Sequence, residues 1–131
     1  MKIEYFPPLG DEPAVLLIYG LEAGRVARLN ELVNRLAAGS LDRVALHEVE
    51  GFEGVDGCQL FLLAGSADLG VRLVDAPYAF AFQCTFRPLS WLQISELLGP
   101  FYVNPRPNTF QWLDDFSDSP IALCISVDRG W

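Results

Sequence analysis

Residues 78–100 read YAFAFQCTFRPLSWLQISELLGP and change character halfway through. In residues 78–86 large and small side chains alternate, which is the pattern of a β-strand with one aromatic face. Residues 87–100 carry the start and stop signals of a helix instead. Because strand patterns also fill most of the remaining chain, this strand-to-helix switch predicts an α+β fold.

The helix in this stretch is predicted over residues 91–98. Ser90 followed by Gln93 is the pattern of a capping box, in which the two side chains bond backbone amides at a helix N-terminus. Gly99 and Pro100 are typical of a helix end, because glycine adopts the left-handed cap and proline cannot continue the helix. We therefore expect a helix of about two turns here.

A longer helix is predicted over residues 22–38, where an apolar stripe repeats at helical spacing and Gly39 stands ready as the C-terminal cap. Strand patterns occupy seven further stretches, 2–6, 14–19, 43–49, 58–64, 70–74, 109–113 and 120–127. The short links after residue 64 predict an antiparallel meander of the strands from 58 to 86.

The sequence thus predicts one domain over residues 1–131. Its expected architecture is a mostly antiparallel sheet of about six to eight strands with helices at 22–38 and 91–98.

Charge and composition limit the classes of partner and the cellular location that we expect for the protein. Nine basic and 17 acidic residues give a net charge of −8, and 51 % of the residues are hydrophobic. An acidic protein repels phosphate backbones, so we expect no nucleic acid partner and favour a basic protein. The apolar runs are far shorter than the roughly 20 residues of a membrane helix, and residues 1–13 do not resemble a secretory signal. We expect a soluble cytoplasmic protein without a membrane partner.

Three cysteines, Cys58, Cys84 and Cys124, lie in or beside apolar strand patterns. An odd number of cysteines without a CxxC pair favours reduced, buried thiols over a disulfide framework. We expect packing roles for all three, because a nucleophilic thiol would also need a base and the chain has a single histidine.

That histidine, His47, lies in the segment LHEVE with Glu48 and Glu50. If residues 43–49 form a strand, the two glutamates share one face and the imidazole lies on the other, which argues against a metal site. A structural or solvated histidine is the expected role. The two glutamates form a same-face carboxylate pair, which keeps open a groove used for ligand binding or acid–base chemistry.

The neighbouring stretch GFEGVDG, residues 51–57, adds Glu53 and Asp56. Its glycines precede a strand rather than a helix and no lysine is near, so we predict a contact loop and not a phosphate cradle. The motifs GxSxG and GxGxxG are missing as well. We therefore predict no catalytic residues, no metal ligands and no cofactor, and lean against an enzyme.

The segment WLDDFSDSP, residues 112–120, is the second acidic stretch. Asp, Ser and Pro close turns by bonding the local backbone, so a hairpin loop is predicted in preference to a calcium site, which would need a different spacing of acids. An acidic loop with aromatic residues is typical of a surface that meets a basic partner. The candidate binding residues here are Trp112, Asp114, Asp115, Phe116 and Asp118.

Three function classes follow from these patterns. The first is a protein–protein interaction module for a cationic partner, such as an inhibitor, an antitoxin or an immunity protein, which would use the acids at 48–56 and 114–118. The second is a small-molecule binder or small enzyme, with a groove near His47, Glu48 and Glu50 or over the small face of the strand at Ala79 and Ala81. The third is a structural subunit of a homo-oligomer, suggested by the apolar surplus.

Overall fold

The computed structural model describes residues 1–20, 22–74, 80–103 and 105–131, which form nine strands and two helices. The helices are α1 (Ala23–Ala38) and α2 (Pro88–Val103). The strands are β1 (Lys2–Phe6), β2 (Ala14–Tyr19), β3 (Arg43–Ala45), β4 (Glu53–Gly54), β5 (Gln59–Ala64), β6 (Gly70–Val74), β7 (Ala81–Phe86), β8 (Phe110–Trp112) and β9 (Ile121–Ser126).

The strands form two mixed sheets, and the predicted α+β class is confirmed. The first sheet has the order β4-β1-β2-β9-β8, and the second has the order β3-β5-β7-β6. Within the first sheet β1–β2 and β8–β9 are antiparallel pairs, whereas β2–β9 and β1–β4 are parallel. The nine described strands lie near the predicted number, but they are divided between two sheets rather than one.

The predicted antiparallel meander from 58 to 86 is wrong. Strand β7 pairs parallel with β5 and antiparallel with β6, so β7 is inserted between the two strands that precede it. Burial explains this order. Four of the six residues of β7 are buried, whereas β6 carries the exposed residues Arg72 and Leu73 and is suited to an edge.

The predicted strand at 43–49 is shorter than expected. Strand β3 ends at Ala45, and residues 46–48 form a turn of 3₁₀ helix. Leu46 is fully buried, and the Nδ1 atom of His47 accepts a hydrogen bond from the Leu60 amide at 3.0 Å. The hydrogen bond ties His47 to β5 within the 3₁₀ turn, so the strand alternation expected for His47, Glu48 and Glu50 does not apply.

The bounds of helix α1 confirm the predicted range 22–38 to within one residue. Its buried stripe consists of Val26, Leu29, Leu32, Val33 and Leu36. Gly39 has a φ of 78° and its amide bonds the Leu36 carbonyl, while the Ser40 amide bonds the Arg35 carbonyl. This is the left-handed glycine cap that the sequence predicted.

Helix α2 is longer at both ends than the predicted range 91–98. It starts at Pro88, so Ser90 lies inside its first turn, 2 % exposed, and is not the N-terminal cap. A more distant residue caps the helix: Asp68 Oδ1 accepts a hydrogen bond from the Arg87 amide at 2.9 Å. Pro100 lies within the helix rather than beyond it. The capping box and the stop at Gly99 were therefore wrong.

One main core lies between the two sheets and the helices. It includes Leu16 and Leu123 of the first sheet, Phe82 of the second, Leu29 of α1 and Trp91 of α2. A second, smaller apolar cluster lies on the outer face of the first sheet and contains Val15, Leu17 and Cys124. Among the described residues, no helix is both long and apolar enough to cross a membrane.

Candidate functional site

The two acidic segments lie at opposite edges of the five-stranded sheet. The first is the 46–58 connection, which leads from β3 to β5 and contains the edge strand β4. The second is the 113–120 loop, which follows the other edge strand, β8. Four strand spacings of about 4.8 Å separate these edges, or about 19 Å. The structure therefore does not bring the predicted binding residues into one site.

In the 46–58 connection the acidic side chains point into solvent. Glu48 and Glu50 are exposed, as is Asp56, which has a φ of 53°. Glu53 forms an ion pair with Lys2 at 2.7 Å across the β4–β1 edge. The group thus presents carboxylates at the surface.

His47 is held by the backbone of β5. Because its Nδ1 accepts the Leu60 amide, a neutral ring carries its proton on Nε2. The Nε2 atom lies 3.9 Å from Glu48 Oε1, and the ring packs edge-on against Phe61 at 5.0 Å between centroids. The ring is only slightly exposed, at 12 % of its side chain. These contacts are those of a structural histidine.

The small-molecule alternative predicted a groove over Ala79 and Ala81. Ala79 lies outside the described residues, and Ala81 is 4 % exposed. A separate cavity of about 270 Å³ is mostly apolar. It is lined by Glu4, Tyr5, Pro7, Val55, Asp56, Cys58 and Phe80.

The three cysteines are free and buried, as the sequence predicted. Burial raises the pKa of Cys58 to about 11 and the pKa of Cys124 to about 12. Burial, followed by the charge of Asp114, raises the pKa of Cys84 well above its usual value. All three thiols therefore stay protonated near neutral pH, and a thiolate nucleophile has no basis here.

The 113–120 loop forms the predicted hairpin connection between β8 and β9. Its first aspartate organises it, since Asp114 Oδ1 accepts hydrogen bonds from the Phe116 and Ser117 amides, both at 3.0 Å. Asp114 Oδ2 accepts a further bond from the Ser117 hydroxyl. The Ser119 hydroxyl donates to the Val71 carbonyl and so ties the loop to β6. Asp114 is therefore a structural residue of the turn.

The other candidates of this loop diverge. Phe116 turns inward and packs edge-on against the buried Phe86 at 5.8 Å. Asp115 and Asp118 are exposed, and Asp118 borders a shallow pocket of about 320 Å³ together with Asp68 and Arg72. Of the three aspartates, two remain available at the surface. No cluster of three or more potential metal ligands occurs in the described ranges.

Trp112 belongs to a surface that the sequence did not reveal. On the outer face of the first sheet it lies near Trp131 and Phe110, with ring centroids 6.1 and 6.0 Å away. Phe6 packs against Trp131 at 5.3 Å. Together these four residues form an aromatic face, which consists of Phe6, Phe110, Trp112 and Trp131. Strand alternation predicts that Phe110 and Trp112 share one face of β8, and it assigns Phe6 to one face of β1. The local sequence does not show that these two faces belong to the same side of one sheet, or that Trp131 lies beside them.

A polar group borders the aromatic face. Arg129 donates two hydrogen bonds to the carboxylate of Glu4, at 3.0 and 2.7 Å, and lies 5.2 Å above the ring of Phe6. The Tyr19 hydroxyl donates to the same carboxylate at 2.8 Å. The hydrogen bonds from Arg129 lower the pKa of Glu4 and outweigh the opposing effect of burial, so Glu4 is ionised at neutral pH.

Comparison of the chain with protein family models, with curated proteins and with solved structures found no match in any of the three.

Proposed function

We propose that the protein is a protein–protein interaction module that binds a basic partner, as inhibitors, antitoxins and immunity proteins do. The observation that carries this proposal is the pairing of the aromatic face with surface carboxylates. Phe110 and Trp131 expose 41 % and 44 % of their surface, although large aromatic residues are commonly buried. Aromatic residues are enriched at the centres of protein interfaces, where they contribute most of the binding energy.

The carboxylates lie at both ends of the short edge strand β8. Asp115 follows the strand at its C-terminal end. Asp128 lies at the other end, because Phe110 is opposite Ser126 in the antiparallel pair and the Asn108 amide donates to Asp128. An aromatic centre flanked by exposed negative charge is complementary to a basic surface with an apolar patch.

The net charge of −8 supports the same partner class. Negative surface charge accelerates the encounter with a basic protein and disfavours acidic partners. The free, buried cysteines fit a reducing compartment, which supports the cytoplasm as the place of action.

Two charge-matched variants test the proposal. Asp115→Asn/Asp128→Asn removes two negative charges beside the aromatic face, and Glu48→Gln/Glu50→Gln removes two at the opposite edge. Immobilised wild-type and variant proteins are used to capture partners from a cell extract. A basic protein that binds the wild type and the control variant but not the first variant is then purified. Its association rate is then measured by stopped-flow fluorescence. We expect the first variant to slow association at about 0.15 M salt by roughly threefold, with a reduced salt dependence.

The rates are compared at about 0.15 M salt, where the Debye length is about 8 Å. The control variant should associate nearly as fast as wild type there, since its charges lie in the connection at the opposite edge of the sheet, about 19 Å from β8. Equal slowing by both variants would mean that only net charge matters and would contradict a defined interface. Capture of no basic protein by the wild type would contradict the partner class itself.

One observation favours self-association as a second candidate. Between α1 and α2 lies a groove of about 590 Å³, lined by Asn34, Ala37, Ala38, Pro88, Leu89 and Leu92. Leu89 and Leu92 are 59 % and 46 % exposed. A second copy that covered these leucines would give a dimer by light scattering, and Leu92→Asp would then return it to a monomer, whereas Gln93→Glu on the same helix would not.

A further inference from the structure

A small pocket lies at one end of the aromatic face. It has a volume of about 280 Å³ and is lined by Asn108, Phe110, Asp128, Arg129, Gly130 and Trp131. This volume is below the range of roughly 300–1,000 Å³ that is typical of drug-sized ligand pockets. The pocket is large enough for the end of one long side chain, and its two aromatic residues are both partly exposed.

The carboxylate of Asp128 is fixed in this pocket by one of its two oxygens. Asp128 Oδ2 accepts a hydrogen bond from the Asn108 amide at 2.6 Å. Asn108 has a φ of 62°, a left-handed conformation that asparagine tolerates well. In this conformation the backbone amide of Asn108 points at the carboxylate of Asp128. Within residues 1–20, 22–74, 80–103 and 105–131, no side chain or amide donates to Oδ1. The carboxylate is therefore oriented and keeps one oxygen for a ligand.

The positive charge of Arg129 is already neutralised. Both oxygens of Glu4 accept hydrogen bonds from its guanidinium, and this contact raises the pKa of Arg129 further above its usual value. The side chains of Asp128, Glu4 and Arg129 together carry a net charge of one negative unit. Arg129 also shows what this face accepts, because its guanidinium lies over the Phe6 ring.

Hydrogen bonds within residues 126–130 fix the position of Trp131. The hydroxyl of Ser126, which is 1 % exposed, donates to the Gly130 carbonyl at 2.7 Å. The Gly130 amide donates to the Asp128 carbonyl at 2.9 Å. These bonds close residues 126–130 into a turn that sets the indole of Trp131 against Phe6 and Trp112. The rings are thus positioned before a ligand arrives, which lowers the entropic cost of binding.

We propose that this pocket binds the side chain of an arginine on the basic partner, an inference that rests on the proposed function and names the group recognised. The arginine guanidinium would donate to Asp128 Oδ1 and lie against the rings of Phe110 and Trp131. A planar guanidinium stacks on aromatic rings and bonds carboxylates in fixed directions, whereas a lysine ammonium is more strongly hydrated. The geometry therefore favours arginine over lysine.

Three blocked tripeptides of the form acetyl-Gly-X-Gly-amide test the pocket, with arginine, lysine or citrulline as X. Citrulline has nearly the shape of arginine but no charge. Each peptide is titrated into the protein and followed by nuclear magnetic resonance at the Asn108 amide and the Trp131 indole N–H. We expect saturable shifts with arginine and binding weaker by roughly fivefold or more with citrulline, with lysine in between.

Variants then locate the binding. Asp128→Asn keeps the acceptor for the Asn108 amide but removes the charge, and Phe110→Leu keeps apolar bulk but removes a π face. Each should weaken arginine binding by roughly threefold or more, whereas Glu48→Gln, at the far edge, should leave it unchanged. Near-ultraviolet circular dichroism of each variant verifies that the tryptophans keep their packing.

If the citrulline peptide binds as tightly as the arginine peptide, or if Asp128→Asn does not weaken arginine binding, the proposal that this pocket recognises a guanidinium is wrong. If no arginine peptide binds while the partner still loses association rate with Asp115→Asn/Asp128→Asn, the pocket is wrong and the proposed function stands. If the peptide binds as expected but both charge-matched variants slow the partner equally, guanidinium recognition stands and the defined interface of the proposed function fails.

Discussion

The 46–58 connection and the 113–120 loop are both acidic, yet their carboxylates have different roles. In the loop, Asp114 accepts bonds from two backbone amides and a hydroxyl and so shapes the turn. In the connection, Glu48 and Glu50 are exposed, and the backbone is shaped instead by buried Leu46 and by His47. The charge of a side chain is therefore a poor guide to its role, which depends on the backbone donors within its reach.

Side-chain length explains part of this difference. Aspartate can reach amides two and three residues ahead in its own chain, whereas the longer glutamate rarely does. Asp115 and Asp118 show that a second condition applies, because both are aspartates in the same loop and both remain exposed. Only a carboxylate at the start of the turn meets the amides that the turn leaves without partners.

The largest effect is expected for Asp114→Ala. The change leaves the Phe116 and Ser117 amides and the Ser117 hydroxyl without their acceptor in a partly buried loop, at a cost of about 2 kcal/mol in the free energy of unfolding. Urea denaturation followed by tryptophan fluorescence measures it. The matched control Asp115→Ala should change the free energy by less than about 0.5 kcal/mol. Equal costs for the two variants would contradict the distinction between structural and exposed aspartates.

Asp68 extends the comparison to a carboxylate that bonds a distant backbone. It accepts bonds from the amide of Arg87 at 2.9 Å and from its Nε at 3.0 Å, and so caps α2. We expect Asp68→Ala to cost about 1–2 kcal/mol, as other lost N-terminal caps do. The measurement is again the urea midpoint, with the exposed Asp42→Ala as the control.

The effect of Asp68 should also depend on pH. Burial alone would raise the pKa of Asp68, but bonds from the Arg87 amide and the Ser90 and Arg87 side chains outweigh it and lower the pKa. A lowered pKa means that the stabilisation is complete above the pKa of the unfolded chain, about 3.9, and is lost as the pH falls through the folded value. The stability gap between wild type and Asp68→Asn should therefore be constant from about pH 7 to 5 and close below about pH 4. A gap that widened at low pH would contradict this cap.

The capping of α2 illustrates what the sequence could and could not predict. Strands β1 and β2 and helix α1 were predictable because their apolar patterns and the Gly39 cap are local. The start of α2 was not, since its cap is 19 residues away in the β5–β6 link and Ser90 offered a plausible local substitute. Pro100 was tolerated because a proline disturbs only the bonds of its own turn, near the end of the helix.

The candidate site was predictable only in part. The acidic loop and its exposed aspartates follow from turn chemistry in the sequence. The aromatic face does not, because Phe6, Phe110 and Trp131 meet only through the strand order β1-β2-β9-β8. That order includes the parallel β2–β9 pair, whose partners are more than 100 residues apart in the chain. Local patterns carry no information about such a pairing.

The smallest effect is expected at the opposite edge, for Glu48→Gln/Glu50→Gln. Both side chains are exposed, and no described backbone amide donates to either carboxylate, so the free energy of unfolding should change by less than about 0.5 kcal/mol. Its sign is also defined: in a protein with a net charge of −8, removing two negative charges should stabilise slightly at low ionic strength, and salt should erase the gain. Urea denaturation at 10 and 500 mM sodium chloride measures both quantities. A loss above about 1 kcal/mol would mean that these glutamates bond the backbone as Asp114 does, and the contrast between the two acidic segments would disappear.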